Sequence, residues 1–338
     1  MKIAVLTLLA ISFSMFMKAQ TKPPESPIAS KTIQAFSTNN LDELSVLLPQ
    51  FAKAHPEHVY TVFFKAYLAD VKDNNVNEAL KGYSQVIKMA PDIMEAYFFR
   101  CRIFFEKGMY EKALDDITNA IRYDTYHSSN LYTTRAEIYE RLSRMEAAYD
   151  DFYKAIELDP SNEKNYRGLL NVGLLLDRKE AIATIFQRAV QGIQSNNAGV
   201  WEVWGDFLLR TKQYAAADVA YDQSFRLPYA APSADSYNNA AIAALNTGNF
   251  SKAKRLAEKA VAINPKGYLY YCTRSEISIY DKTWEEVYTW AQKALLVNSK
   301  SARVNKLMSI GVKFTNRGEA LSNEYDAKSK KYESEGYH

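Results

Sequence analysis

An aromatic residue recurs at nearly constant intervals through most of the sequence. Copies of one unit begin at Tyr60 and recur every 34 to 36 residues. The fourth position of each copy is aromatic, although aromatic residues make up only 13% of the chain. These fourth positions are Phe63, Tyr97, Tyr132, Tyr166, Trp201, Tyr237 and Tyr271. A repeat of this length is one supersecondary unit, so the fold follows from what a single copy forms.

The third copy shows the unit most clearly. Tyr132, Ala136 and Tyr139 recur at spacings of three and four residues, so they share one face of a helix. After a short turn, a second helix repeats the pattern with Ala148, Phe152, Ala155 and Ile156. Pro160 then prevents further helix, because proline lacks an N–H and clashes with the preceding turn. Each copy is therefore predicted to be a helix–turn–helix pair that needs neighbours to bury its apolar faces.

Small residues at fixed positions support this interpretation. The eighth, twentieth and twenty-seventh positions are mostly Ala, Gly, Ser or Cys, and small side chains let two helix backbones approach closely. Between the two helices, Asn74, Gly108 and Gly248 occupy a turn position that is predicted to have positive φ.

The repeats closely resemble the tetratricopeptide repeat family, whose 34-residue unit carries this order of aromatic, small and proline residues. The resemblance implies an all-α, right-handed superhelical solenoid of helix–turn–helix repeats with terminal capping helices. The fourth copy departs from the pattern, with Leu170, Lys179 and Ile182 at positions where other residue types are usual. The seven predicted copies are 60–93, 94–128, 129–162, 163–197, 198–233, 234–267 and 268–300.

The segments outside the repeats have distinct patterns. Residues 1–19 combine a lysine, an apolar run too short to span a membrane and a final alanine, which is typical of an export signal peptide. We expect its removal to leave no membrane span, although it could instead remain as an anchor. A Pro-rich linker is predicted over 20–29, capping helices or a degenerate repeat over 30–59, C-terminal capping helices over 301–331, and a disordered tail over 332–338.

The sequence gives no support for catalysis. Cys101 and Cys272 are too few for a disulfide framework, and His55 and His58 lack a third partner for a metal site. The adjacent carboxylates, such as Asp150 and Asp151, point in different directions on a helix and are predicted to be solvated. We therefore expect no enzyme activity, no metal and no cofactor. The formal net charge of +3 gives no electrostatic reason to expect nucleic acid as a partner.

In the tetratricopeptide family, the first helix of each copy lines a concave groove. The resemblance places ten residues in a partner-binding groove here, namely Phe64, Leu68, Phe98, Arg102, Phe105, Glu137, Glu140, Arg141, Arg167 and Asn171. This groove starts apolar and becomes mixed in charge, as expected of a receptor for a peptide or helix. An alternative remains open, in which the segment from Ser30 to Ala54 folds over the phenylalanines and buries them.

The resulting expectation is a non-catalytic scaffold that binds another protein in the bacterial envelope, in the periplasm or after secretion. Two alternatives remain open: a module that binds carbohydrate or another small ligand, and a regulatory subunit of an envelope enzyme or secretion complex.

Overall fold

The computed structural model describes residues 22–192, 196–228 and 230–337, and these contain 18 helices and no strand. The predicted all-α class is confirmed. In chain order the helices are α1 Pro27–Ser37, α2 Leu41–Ala54, α3 Val59–Val71, α4 Val76–Met89, α5 Met94–Glu106, α6 Tyr110–Tyr123, α7 Ser129–Arg141, α8 Met145–Leu158, α9 Glu163–Leu175, α10 Lys179–Gln191, α11 Ala198–Arg210, α12 Tyr214–Arg226, α13 Ala234–Asn246, α14 Phe250–Ile263, α15 Tyr268–Tyr280, α16 Trp284–Val297, α17 Ala302–Phe314 and α18 Glu319–Ser334.

The helices form two compact units, Met1–Ala183 and Thr184–His338, with the boundary inside α10. Within each unit, consecutive helices pair through a short turn. None of the helices in the described part of the chain is both long enough and apolar enough to cross a bilayer. The first helices of the copies begin at or within one residue of the starts read from the sequence spacing.

The turn between the two helices has the same backbone conformation in every copy. Its central residue is left-handed in all seven copies, including Gly108 (φ +71°) and Gly248 (φ +78°) as predicted. In the second copy the N–H of Met109 donates to the carbonyl of Phe104 at 2.8 Å, which closes a Schellman motif around Gly108. Other residue types adopt the same conformation elsewhere, for example Lys212 (φ +61°) and Lys282 (φ +56°). The turn geometry is therefore kept even where glycine is absent.

The small crossing positions are buried in every copy. In the fourth copy the crossing residue is the larger Ile182, and the first helix adapts to it. Gly173 lies opposite, where an added Cβ would stand 2.7 Å from Ile182 Cδ1. A glycine on α9 thus makes room for the isoleucine on α10, which explains how the unusual fourth copy still packs.

The N-terminal segment begins its first helix earlier than the sequence predicts. Ser26 adopts an extended conformation and its side chain accepts a hydrogen bond from Ala29 N–H, while Pro27 occupies the first helical position. A Ser-Pro start of this kind is a favourable helix N-terminus. The predicted linker over 20–29 therefore ends before Pro27, and its first two residues lie outside the described part of the chain.

The C-terminal pair closes the second unit with a polar surface. Cys272, Ile279 and Tyr288 of α15 and α16 pack against α17. Thirty-four residues later, the positions equivalent to Cys272 and Ile279 are the exposed Lys306 and Lys313 of α17. These substitutions give the final pair a face that does not require another helix, as a terminal pair of a repeat array needs.

The predicted disordered tail over 332–338 is corrected by the structure. Helix α18 continues to Ser334 and ends in a Schellman motif, because Gly336 (φ +81°) lets Tyr337 N–H donate to the Tyr332 carbonyl at 2.8 Å. The carbonyl of Tyr337 then accepts from the N–H of Ala302, also at 2.8 Å. Residues up to Tyr337 are therefore held against the start of α17, and His338 lies outside the described residues.

Candidate partner-binding face

The apolar start of the predicted groove is covered. Helices α1 and α2 place Phe36 and Phe51 against Phe64, with ring centroids 5.6 and 5.5 Å apart. Phe64 has no exposed surface, and Leu68 and Phe98 are buried as well. These three predicted groove residues belong to the core in this structure, and the N-terminal pair packs directly on Phe64. The alternative in which the N-terminal segment buries the phenylalanines is correct for Phe64, whereas Phe98 is buried within the core and Phe105 stays half-buried.

Arg102 joins the first two copies. Its Nη2 donates to Asp70 Oδ2 at 2.5 Å, and Tyr83 Oη donates to the same oxygen at 3.2 Å. The Arg102 side chain is only 19% exposed. Burial raises the pKa of Tyr83 well above its ordinary value, so its hydroxyl stays protonated and able to donate. Arg102 thus serves a junction between copies and has little surface to offer a partner.

The open part of the face begins at Phe105. This half-buried ring lies 5.5 Å from the ring of Tyr110, and the Arg141 guanidinium lies 5.9 Å from its centroid. Arg141 itself is exposed at the end of α7. A cation beside an aromatic ring is a favourable contact that still leaves the guanidinium able to donate hydrogen bonds to a ligand.

Helices α7 and α9 place opposite charges side by side. Lys164 Nζ lies 2.5 Å from Glu137 Oε1. Burial, with a smaller effect of the nearby Glu137 carboxylate, raises the pKa of Glu140. Beneath these charges, Thr133 Oγ1 donates to the buried Asn165 Oδ1 at 2.6 Å and fixes the two helices to each other. The structure therefore brings Glu137 and Glu140 together, with the Lys164 cation among them.

Arg167, Asn171 and Leu175 follow at four-residue spacing along α9, so they share one face of that helix. Arg167 and Asn171 are exposed, and Leu175 is 73% exposed. Together with Phe105, Glu137, Glu140 and Arg141, these residues form a surface of mixed charge with an apolar group at each end. We refer to these seven residues as the α5–α9 face.

Buried ion pairs within single copies are a feature that sequence reasoning missed. Asp116 and Asp151 are buried, although the adjacent Asp115 and Asp150 are exposed as predicted. Arg135 donates to Asp151 through Nε at 2.7 Å and Nη2 at 2.8 Å, and Arg100 binds Asp116 in the same way. A signal was present, because each arginine precedes its aspartate by sixteen residues in two successive copies.

The described residues provide neither a cluster of metal ligands nor a cysteine thiolate near neutral pH. No three or more His, Cys, Asp or Glu side chains there are grouped to hold a metal ion. Cys101 and Cys272 are buried free thiols. Burial raises the pKa of both, to about 12 for Cys272, so neither is a thiolate near neutral pH.

The geometry defines an array of antiparallel helix pairs, and a comparison of the sequence with family models names the repeat. Residues 129–162 and 234–266 match the model described as Tetratricopeptide repeat. These residues coincide with the third and sixth copies. The chain therefore contains tetratricopeptide repeats, as the resemblance predicts.

Curated relatives share only part of their length with the chain. Tetratricopeptide repeat protein 13 of Homo sapiens is 26% identical over 174 residues, which is 50% of this chain and 19% of that protein. The UDP-N-acetylglucosamine–peptide N-acetylglucosaminyltransferase of Giardia intestinalis is 28% identical over 106 residues, which is 31% of this chain and 7% of that protein. The chain thus spans less than a quarter of the length of either relative.

A solved structure agrees with the fold over a longer stretch. A tetratricopeptide repeat protein from Parabacteroides merdae superposes with a TM-score of 0.51 at 15% identity. The match covers 75% of this chain and 98% of that one. At this identity the likeness concerns the fold of the helix pairs.

Proposed function

We propose that this protein is a non-catalytic interaction scaffold that binds a peptide segment or partner protein on the α5–α9 face. The observation that carries the proposal is the exposure of this mixed-charge face beside a fully packed core. Crossing positions and core aromatics are buried by packing within and between copies, whereas Arg141, Arg167 and Asn171 are exposed residues of the first helices. The α5–α9 face has guanidinium, carboxylate and amide groups next to apolar ones, a combination that suits a peptide.

We further propose that the protein acts in a bacterial envelope after export. The support is the pattern of residues 1–19, which lie outside the described part of the structure. N-terminal sequencing of the protein from separated cell fractions tests this point. A new N-terminus near Ala19 in an envelope fraction or the medium is the expected result, and an intact Met1 in the cytoplasmic fraction would contradict it.

Crosslinking capture of the intact protein from its native cells, followed by mass spectrometry, tests partner binding. The test variant combines Arg141→Glu with Arg167→Glu. The matched control combines Lys88→Glu with Arg122→Glu, which reverses two exposed charges on the second helices α4 and α6. Both variants should retain the helical circular dichroism signal of the wild type.

We expect the amount of partner recovered with the test variant to fall at least tenfold and the amount recovered with the control to stay unchanged. The reason is that each lost charge-assisted contact weakens binding by about tenfold or more. Equal recovery with both variants would reject the α5–α9 face as the site. Binding to a glycan array with no protein recovered would favour the carbohydrate module instead. Co-purification with an envelope enzyme whose activity changes would identify a regulatory subunit.

A further inference from the structure

A short loop with two histidines fastens the N-terminal helix pair to the repeats. The loop connects α2 to α3 and contains His55 and His58. His55 Nε2 lies 2.9 Å from Ser26 Oγ, the side chain that caps α1. The backbone carbonyl of His55 also accepts from Thr61 Oγ1 at 2.6 Å. The loop therefore contacts the start of α1 and the start of α3 at once.

His58 caps α3 with its ring. Its Nδ1 accepts a hydrogen bond from Tyr60 N–H at 3.3 Å, and the ring stacks on Tyr60 with centroids 5.6 Å apart and an interplanar angle of 14°. A ring nitrogen accepts only when it carries no proton, so this cap requires a neutral imidazole. Protonation would remove the acceptor and place a positive charge at a helix N-terminus, where cations are disfavoured.

The charged and titratable groups around His58 come from three sides. The His55 ring lies 6.4 Å away in the same loop, Tyr60 lies on α3, and the backbone of Lys22 hydrogen-bonds the His58 ring from the segment before α1. Glu95 of α5 and Asp92 just before it act electrostatically on the Tyr60 hydroxyl. A positive charge on the neighbouring ring would repel a protonated His58, so the folded arrangement favours a neutral His58 ring.

The sign of the pH effect follows from these contacts. Burial of the ring, followed by the neighbouring His55, lowers the pKa of His58 from its ordinary value of 6.5. The unfolded or detached loop therefore binds protons more readily than the packed one. The packed loop, with its neutral His58 ring, therefore contributes its full stability above pH 6.5, and this contribution is lost as pH falls below that value.

We propose that the His55–His58 loop is an acid-sensitive fastening for the cover formed by α1 and α2. On acidification the fraction of molecules with a detached cover rises, and detachment exposes the aromatic surface formed by Phe36, Phe51 and Phe64. This device is independent of which partner binds the α5–α9 face. Its consequence is a second apolar surface that is accessible more often at acidic pH.

Hydrogen–deuterium exchange on the full chain tests the proposal, with exchange times scaled for the intrinsic pH dependence of amide exchange. Peptides within residues 22–55 report on the cover, and peptides from α7 and α8 in the same samples are the reference. Between about pH 7.5 and about pH 5, we expect opening of the cover to rise roughly tenfold, the equilibrium equivalent of losing one helix cap. Reference peptides should not change.

His58→Asn is the decisive variant, because asparagine caps a helix and does not titrate in this range. It should keep the cover protected at both pH values. The matched control is His127→Asn, which changes an exposed histidine with positive φ (+54°), a conformation that asparagine tolerates. This control should open on acidification like the wild type.

A wild-type cover whose protection does not change with pH would overturn the proposal, as would a His58→Asn variant that still opens on acidification. If His58→Asn loses its cover at neutral pH, NMR titration of the wild-type histidine rings decides the question. A His58 midpoint below 6.5 that coincides with the opening supports the fastening, and a midpoint at or above 6.5 rejects it.

Discussion

Replacing Asp151 by alanine removes the carboxylate from a buried ion pair inside the third copy. Asp151 accepts two hydrogen bonds from Arg135, and the two side chains are 8% and 20% exposed. Breaking a fully buried pair costs about 3–5 kcal/mol, because an uncompensated charge stays behind. Arg135 keeps some solvent contact and its guanidinium lies 5.5 and 5.9 Å from the rings of Tyr132 and Tyr139. We therefore expect a loss of about 2 kcal/mol in the free energy of unfolding.

Asp150→Ala is the matched control, because this neighbouring side chain is 78% exposed and approaches Arg178 only at 4.0 Å. Its expected cost is below about 0.5 kcal/mol, as for other exposed pairs. Urea unfolding followed by circular dichroism measures both variants, with the midpoint compared at constant slope. If Asp151→Ala loses no more stability than Asp150→Ala, the buried pair does not stabilise this copy and the reasoning fails.

Three further predictions concern stability, the first two measured by urea unfolding and the third by thermal unfolding. Gly248→Ala should lower the free energy of unfolding by about 1 kcal/mol, because the backbone there has φ +78°. Lys282→Gly, at φ +56°, should raise it by a few tenths of a kcal/mol to about 1 kcal/mol. Equal effects of the two substitutions would contradict this reasoning. Gly173→Ala should cost about 1–3 kcal/mol through overpacking against Ile182, and a second change, Ile182→Val, should recover part of it. Burial raises the pKa of Glu95 from 4.5 to about 7, so its stabilising protonated form is lost as pH rises through that value. Glu95→Gln should then raise the melting temperature at about pH 8 and leave it unchanged near pH 4, and a uniform shift at both would refute the assignment.

The repeat spacing predicts the helix pairs because the residues that determine the packing recur within each copy. An aromatic residue at the fourth position occurs in every copy, small residues occupy most of the crossings, and the crossings are buried in the structure. The turn is less visible in the sequence. Lys212 and Lys282 adopt the same positive φ as Gly108, since the Schellman hydrogen bonds and the following helix impose it. Residue type alone does not reveal a conformation that these local hydrogen bonds impose.

The apolar end of the predicted groove could not be assigned from the sequence. Phe64 occupies a position that is open in an isolated repeat, and only the packing of α1 and α2 decides whether it is covered. That packing depends on Phe36 and Phe51, which lie in an irregular segment without repeat periodicity. The capping role of His58 could not be predicted from the sequence either, because it depends on the hydrogen bond that Tyr60 N–H donates to the His58 ring.

Charges at the junctions between copies narrow the choice of partner-binding residues. Lys164 pairs with Glu137, and Arg303 pairs with Glu276 in the same register of the second unit. These positions therefore hold neighbouring first helices together as well as facing solvent. The Lys164 and Glu137 side chains are 57% and 32% exposed, so their pair contributes about 0–1 kcal/mol. A partner can therefore separate Lys164 from Glu137 at little cost in free energy and form its own contacts with both charges. Separating Arg102 from Asp70 would instead break a largely buried contact. A ligand of the first unit is therefore expected to bind between Phe105 and Leu175 and to stop short of Arg102.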